Sequence, residues 1–248
     1  VVSARVEQVM GLPVVVDVRD GDVGEDALDR VFEWLRSVDE TFSTYKAESE
    51  ISRINRGELA VSDAHEQVRE VLERCEELRL ETGGYFDVRA ERPDYVDPSG
   101  LVKGWSVDRA AAILDESGAR NYAVNAGGDM VLRGRALPEG TWRVGIQHPT
   151  IRDRVARVVE ANDLAVATSG AYARGDHVLD PHTRLPPSGV LSVTITGPVL
   201  ATADAYATAA FAMGEAAPAW TARLPRGYEA MTILADESVL STPGFPTS

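Results

Sequence analysis

YAVNAGGDMVLR, residues 122–133, reads as two short strands, Tyr122 to Asn125 and Met130 to Arg133, placed around the glycine pair Gly127-Gly128. Paired glycines between two apolar, β-branched stretches are a turn signal. Strand patterns continue downstream at Trp142–Gln147, Arg154–Val159, Leu164–Thr168, His177–Leu179 and Val190–Thr196, and close the chain at Ala230–Leu234 and Val239–Leu240. Upstream, Val6 to Val18 reads as two short strands interrupted at Gly11-Leu12-Pro13, with Val14, Val16 and Val18 alternating with other residues. Helices keep to separate groups. Apolar residues at three- and four-residue spacing predict one over Glu25–Thr41 (Ala27, Leu28, Val31, Trp34, Leu35, Val38) and another over about Ala64–Arg79 (Val68, Val71, Leu72, Cys75, Leu78). A third is expected over Trp105–Ser117, closed by Gly118, and a small-residue helix over Ala201–Met213. Strands in runs and helices in groups favour an α+β fold with largely antiparallel mixed sheets and flanking helices over a doubly wound parallel one.

The chain has 248 residues, with no internal repeat, low-complexity tract or linker that marks a boundary, so residues 1–248 are expected to form a single domain. Arg92 to Pro98 is expected to be a loop. Lys plus Arg number 25 against 39 Asp plus Glu, a formal charge of -14 that repels polyanions at long range and argues against nucleic-acid binding. No apolar run approaches the roughly 18 residues of a membrane span. A cytoplasmic location is expected for the sequence as given, or export or membrane anchoring if a leader was removed. Cys75 lies on an apolar helical stripe, where a buried small hydrophobe outweighs a reactive thiol.

Several polar groups stand beside glycines. Thr82-Gly83-Gly84-Tyr85-Phe86-Asp87 follows a predicted helix, and Asp97-Pro98-Ser99-Gly100-Leu101-Val102-Lys103-Gly104 precedes one. Glycine-rich backbone beside a helix N-terminus offers N–H groups to a phosphate, and Lys103 adds a point charge; each loop taken alone is better read as an ordinary turn or cap. Neither the phosphate cradle ending in Gly-Lys-Ser/Thr nor a strand-anchored Gly-x-Gly-x-x-Gly is present. Asp204 and Thr208 are four apart and share a helix face, a carboxylate and a hydroxyl suited to a hard cation yet too sparse to hold Mg2+ without other oxygens. The alternative is a helix with one polar stripe. His177, with Asp180 nearby after a Thr168-Ser169-Gly170 turn, is either a proton shuttle or a satisfied structural histidine. Four histidines without cysteine partners give a zinc site little support.

The order of these pieces adds what none carries alone. Ser43-Thr44-Tyr45, the segment Glu48 to Asn55, then GGYFD, DPSGLVKGWSVDRA, VNAGGDM, ATSGAYAR, HVLDPHTR and ATADAYATAAFAMG together resemble the ApbE family, the FAD:protein FMN transferases, from about Met10 to Gly214. The resemblance implies an α+β fold, bound FAD and Mg2+, and transfer of the FMN half of FAD onto a Thr or Ser hydroxyl of a target flavoprotein, with release of AMP. Some relatives instead hydrolyse FAD to FMN and AMP, and a non-catalytic FAD-binding protein is the third reading. By the same resemblance Tyr45, Tyr85, Phe86, Asp87, Asp97 and Lys103 address FAD, and Gly100 (through its carbonyl), Asp204 and Thr208 address the metal. His177 is then the candidate base or positioning group, with Asp180 as its orienter. Three positions depart from the family pattern: Pro98-Ser99 in the metal loop, Tyr85 in the flavin segment and Leu185 at the end of the histidine motif.

Overall fold

The computed structural model of the chain describes residues 3–136, 140–151, 153–170 and 178–246. In β1 (Ser3–Val9) and β2 (Leu12–Val18), burial alternates along the strand, with Val14, Val16 and Val18 turned fully inward. Period-two burial is the mark of a sheet with one face on a core. The two strands join through Met10 and Gly11, both at positive φ (55° and 72°), as a two-residue hairpin turn requires. The break therefore lies earlier than expected: Leu12 and Pro13 already pair with Val9 and Gln8.

The expected pair around Gly127-Gly128 is a hairpin of β3 (Tyr122–Ala126) and β4 (Asp129–Arg133), its glycines at φ 62° and 106°. With β7 (Leu164–Gly170), β8 (Val190–Gly197), β9 (Glu229–Leu234) and β10 (Val239–Ser241), they complete an eight-stranded sheet ordered β1-β2-β3-β4-β7-β8-β9-β10. Its order follows the chain. Every strand pairing among the described residues is antiparallel. Between β4 and β7 the chain makes a separate hairpin, β5 (Trp142–Gln147) and β6 (Val155–Ala161). Trp142, Val144, Ile146 and Val159 of that hairpin pack with Leu132, Val166, Met231 and Ile233 of the large sheet in a small core of their own.

The helices gather in the larger core. Between β2 and β3 the chain inserts α1 (Glu25–Phe42), α2 (Glu50–Asn55), α3 (Glu66–Glu81) and α4 (Ser99–Glu116); between β8 and β9 it inserts α5 (Leu200–Ala212) and α6 (Ala217–Thr221). The resulting α+β fold matches the class expected. The apolar stripe of α3 buries Val68, Val71, Cys75 and Leu78, and burial pushes the Cys75 thiol up to about 12, so it is no nucleophile.

Three local expectations need correction. α4 starts at Ser99 rather than Trp105, so Gly100, Lys103 and Gly104 lie on a helix and not in the loop before one. Thr168-Ser169-Gly170 is no turn but the end of β7, paired with Thr194, Val193 and Ser192 of β8. Val178 and Leu179 belong to no strand, and His177 lies outside the described residues.

Candidate functional site

The site is assembled where α4 and α5 cross. A Cβ placed on Gly104 would stand 2.8 Å from both the Ala201 Cα and the Leu200 carbonyl oxygen, so only glycine lets the two backbones meet there. The crossing is also tied by charge: the Asp108 carboxylate of α4 accepts the Leu200 and Ala201 N–H groups (3.0 and 2.8 Å), capping the N-terminus of α5. One turn further along α5, Asp204 faces α4. Its Oδ2 accepts the Gly104 N–H at 3.2 Å, a donor that a regular helix directs at the Gly100 carbonyl.

Lys103, next to that amide, reaches two carboxylates. Its Nζ is in close contact with Asp129 Oδ2 and stands 3.4 Å from Asp204 Oδ1. Both carboxylate side chains are 2% exposed, against 26% for Lys103. Asp129, the first residue of β4, is fixed on its other oxygen by the Thr168 N–H of β7 at 2.9 Å. Burial raises the Asp204 pKa strongly, Lys103 pulls it down, and the charge of Asp129 adds to the rise.

Thr208 lies one turn beyond Asp204, its Oγ1 3.4 Å from Ser169 Oγ at the end of β7. Gly100 sits against it: a Cβ there would come within 3.6 Å of Thr208 Oγ1 and 3.2 Å of the Phe86 ring. The structure thus brings Phe86, Gly100, Lys103, Asp204 and Thr208 together. The Asp204 carboxylate, the Thr208 hydroxyl and the Gly100 carbonyl are oxygen donors of the type that suits a small hard cation keeping some non-protein oxygen ligands. Among the described residues no three His, Cys, Asp or Glu side chains cluster as a metal cage.

The remaining residues border this centre. Phe86 is 3% exposed, and its N–H donates to Thr82 Oγ1 at 3.0 Å, which fixes the turn through Gly83 and Gly84 after α3. Tyr85 meets the His182 ring edge-on, centroids 4.6 Å apart. Asp87 Oδ1 accepts the Arg89 N–H (2.8 Å), and Asp97 Oδ1 accepts the Ser99 N–H (2.9 Å) at the start of α4. Tyr45 is 97% exposed on the loop before α2. That loop is held at the Ser43 carbonyl, which accepts the hydroxyls of Ser49 (2.5 Å) and Ser52 (3.2 Å). At the other end of α2, Asn55 exchanges two hydrogen bonds with the Val96 backbone, next to Asp97. Both carboxylate oxygens of Asp180 serve its own turn, accepting the His182 N–H (2.9 Å) and the Thr183 hydroxyl (3.0 Å).

Asp129, Asp108 and His182 were not singled out from the sequence. Asp129 follows Gly127-Gly128, where an aspartate reads as an ordinary turn residue. A cleft of about 470 Å³ walled by Tyr206, Trp220 and Tyr228 opens elsewhere on α5; neither Asp204 nor Thr208 lines it.

Comparison with known proteins places this arrangement in a family. The chain is 39% identical over 131 residues to the FAD:protein FMN transferase of Vibrio cholerae and 32% over 146 residues to that of Salmonella typhimurium, matches that take in 49% and 54% of this chain. They span only 39% and 42% of those relatives' own lengths. The FAD:protein FMN transferase of Treponema pallidum is 30% identical over 203 residues, 72% of this chain and 56% of that protein. The solved flavin transferase ApbE from Vibrio cholerae superposes with a TM-score of 0.86 at 25% identity, over 99% of this chain and 98% of that one. The ApbE protein from Thermotoga maritima shares the fold, with a TM-score of 0.88 at 22% identity over 98% of this chain and 97% of that one. The model of the ApbE family matches residues 10–94 and 89–232, which hold both crossing helices and every described residue of the site, and this chain belongs to the ApbE family.

Proposed function

We propose that this chain is an Mg2+-dependent FAD:protein FMN transferase, moving the FMN half of FAD onto a Thr or Ser hydroxyl of a target flavoprotein and releasing AMP. The observation that carries the reading is the half-buried Lys103 set against the buried Asp204, beside Thr208 and Gly100. A lysine, a carboxylate and further oxygen donors at one point suit a diphosphate bound with a divalent cation, in a chain whose relatives are named for action on FAD.

Asp204, Thr208 and the Gly100 carbonyl would hold the Mg2+, which when bound neutralises charge on the diphosphate and on the departing AMP. Lys103 would add an ammonium to balance the same phosphates. Tyr85 would offer an aromatic face to the flavin, with Phe86 buried beneath its own segment as support, and Tyr45, exposed on its pinned loop, would cover it. The acceptor oxygen attacks the flavin-side phosphorus; a new P–O bond forms, the bond to the AMP phosphate breaks, and the hydroxyl proton leaves to a base. We assign that base to His177, with Asp180 in the turn that follows it.

Incubation with FAD, Mg2+ and an FMN-binding acceptor protein tests the assignment. AMP in step with an acceptor heavier by one FMN phosphoryl group is the expected result. Free FMN and AMP with every acceptor left unlabelled would instead make the enzyme an FAD pyrophosphatase, and FAD bound without turnover would make it a binder.

A further inference from the structure

Asp129 takes no part in the chemistry above, yet it is as buried as Asp204 and closer to Lys103. We propose that Asp129 is a positioning residue, holding the Lys103 ammonium to one side of Asp204 so that a divalent cation can take the Asp204 Oδ1 atom. The inference rests on the metal dependence proposed for the site.

Two carboxylates at 2% exposure share one ammonium. With both carboxylates ionised, these described groups set two buried negative charges against one positive, and a buried charge without full compensation is costly. How Lys103 divides itself decides where that deficit falls. It contacts Asp129 Oδ2 closely, whereas 3.4 Å to Asp204 Oδ1 is longer than the roughly 2.7–2.9 Å of a strong charge-assisted hydrogen bond. Asp204 Oδ2 has the Gly104 N–H, so Oδ1 is its less committed oxygen. The deficit falls there, on the face shared with Thr208.

Asp129 can impose this division because it is rigid. Its backbone opens β4 and its Oδ1 is fixed by the Thr168 N–H, while Lys103 reaches it on a flexible four-carbon stem. Without the Asp129 charge, Asp204 is the buried carboxylate that remains against Lys103 among the described residues, and the ammonium competes for the oxygen a metal needs. A merely structural Asp129 would serve as the cap on Thr168, a task that asparagine also performs.

The test is Mn2+ binding to the FAD-free protein, read by electron paramagnetic resonance of free Mn2+, in wild type, Asp129→Asn, Lys103→Met and the double variant, with melting curves to verify folding. Asp129→Asn should weaken Mn2+ binding by about tenfold, the scale of one displaced charge in a partly shielded site. Lys103→Met should bind Mn2+ at least as tightly as wild type, because the competitor is gone. In the Lys103→Met background, Asp129→Asn should then change affinity by no more than about twofold, since Asp129 acts through Lys103. An equal loss in both backgrounds would mean that Asp129 acts on the metal directly and would overturn the proposal. Weaker binding in Lys103→Met would also overturn it, whether or not the Asp129 variant folds. Unchanged binding in Asp129→Asn would overturn the proposal and leave the metal reading standing; no Mn2+ binding by wild type would overturn both.

Discussion

At Asp204 a carboxylate is held in the protein interior by one amide N–H and a share of one ammonium. Such a group destabilises the fold unless it gains a cation, so its effects on stability and on turnover should have opposite signs. Asp204→Asn keeps the shape and an acceptor for the Gly104 N–H while leaving Lys103 fully matched by Asp129. In metal-free buffer this variant should melt higher than wild type. Its Mg2+-dependent AMP release should nevertheless fall by more than about 100-fold, since even the outer partners of metal ligands cost 10- to 100-fold when removed. Thr208→Val, which loses a hydroxyl and no charge, should fall by less. Melting curves alongside AMP release across a Mg2+ series check both; full Mg2+-dependent release from Asp204→Asn would remove Asp204 from the metal site. The spacing of Asp204 and Thr208 was legible because four residues on a helix return to the same face. Asp129 was not, because its meaning depends on Thr168, 39 residues away across a strand pairing, and on a lysine from another element. An aspartate beside two glycines reads locally as a turn residue.

At the level of elements, α4 shows how a contact overrides a local preference. Glycine in a helix interior costs about 1 kcal/mol relative to alanine, which is why Gly100 and Gly104 made Ser99 to Gly104 read as a loop. The helix runs through both because α5 crosses against them. Gly104→Ala should therefore destabilise the protein despite improving helix propensity. Its methyl group would meet the Ala201 Cα and Leu200 carbonyl at 2.8 Å, backbone atoms that move only if α5 moves. Forcing extra volume into a packed contact costs about 1–3 kcal/mol, more than the propensity gain. A lower urea midpoint with an unchanged slope is expected, and an unchanged or higher midpoint would show that the crossing yields easily. The long amphipathic α1 and α3 were legible within a few residues of their ends. The six-residue α2 was not, since it is shorter than the window in which a 3.6-residue period can be seen. It is specified by single contacts instead: Ser49 caps it and Asn55 fastens it to Val96.

Across the whole molecule the sheet is a chain-ordered antiparallel meander, and its cost lies in one long excursion. Just past β2 the chain departs at Asp20, and it comes back at Arg120, just before β3 and 100 residues later, after four α-helices that carry the first half of the site. Closing so long a loop costs entropy, and the ends must be held where β2 and β3 pair. The separation of strands from helices was legible in composition, but this adjacency was not, because nothing local relates residue 20 to residue 120. Asp20 supplies the clasp: Oδ2 accepts the Arg120 and Asn121 N–H groups and Oδ1 accepts Asn121 Nδ2, each at 2.7 Å. Burial by itself would raise the Asp20 pKa, but these three donors outweigh it and leave the carboxyl below its ordinary value of 3.8. A carboxylate depressed in the folded state stabilises the fold fully above its unfolded pKa, and that contribution is lost as pH falls through the lower folded value. Asp20→Asn, which turns an N–H group toward donors, should cost about 1 kcal/mol at neutral pH, a modest figure because water reaches part of the site. The gap between wild type and variant should hold from pH 7 down to about 5 and close below pH 4, where the wild-type carboxyl takes up its proton. Urea unfolding of both proteins across that range measures it, and a gap that stays constant down to pH 2 would show that the clasp acts by shape and not by charge.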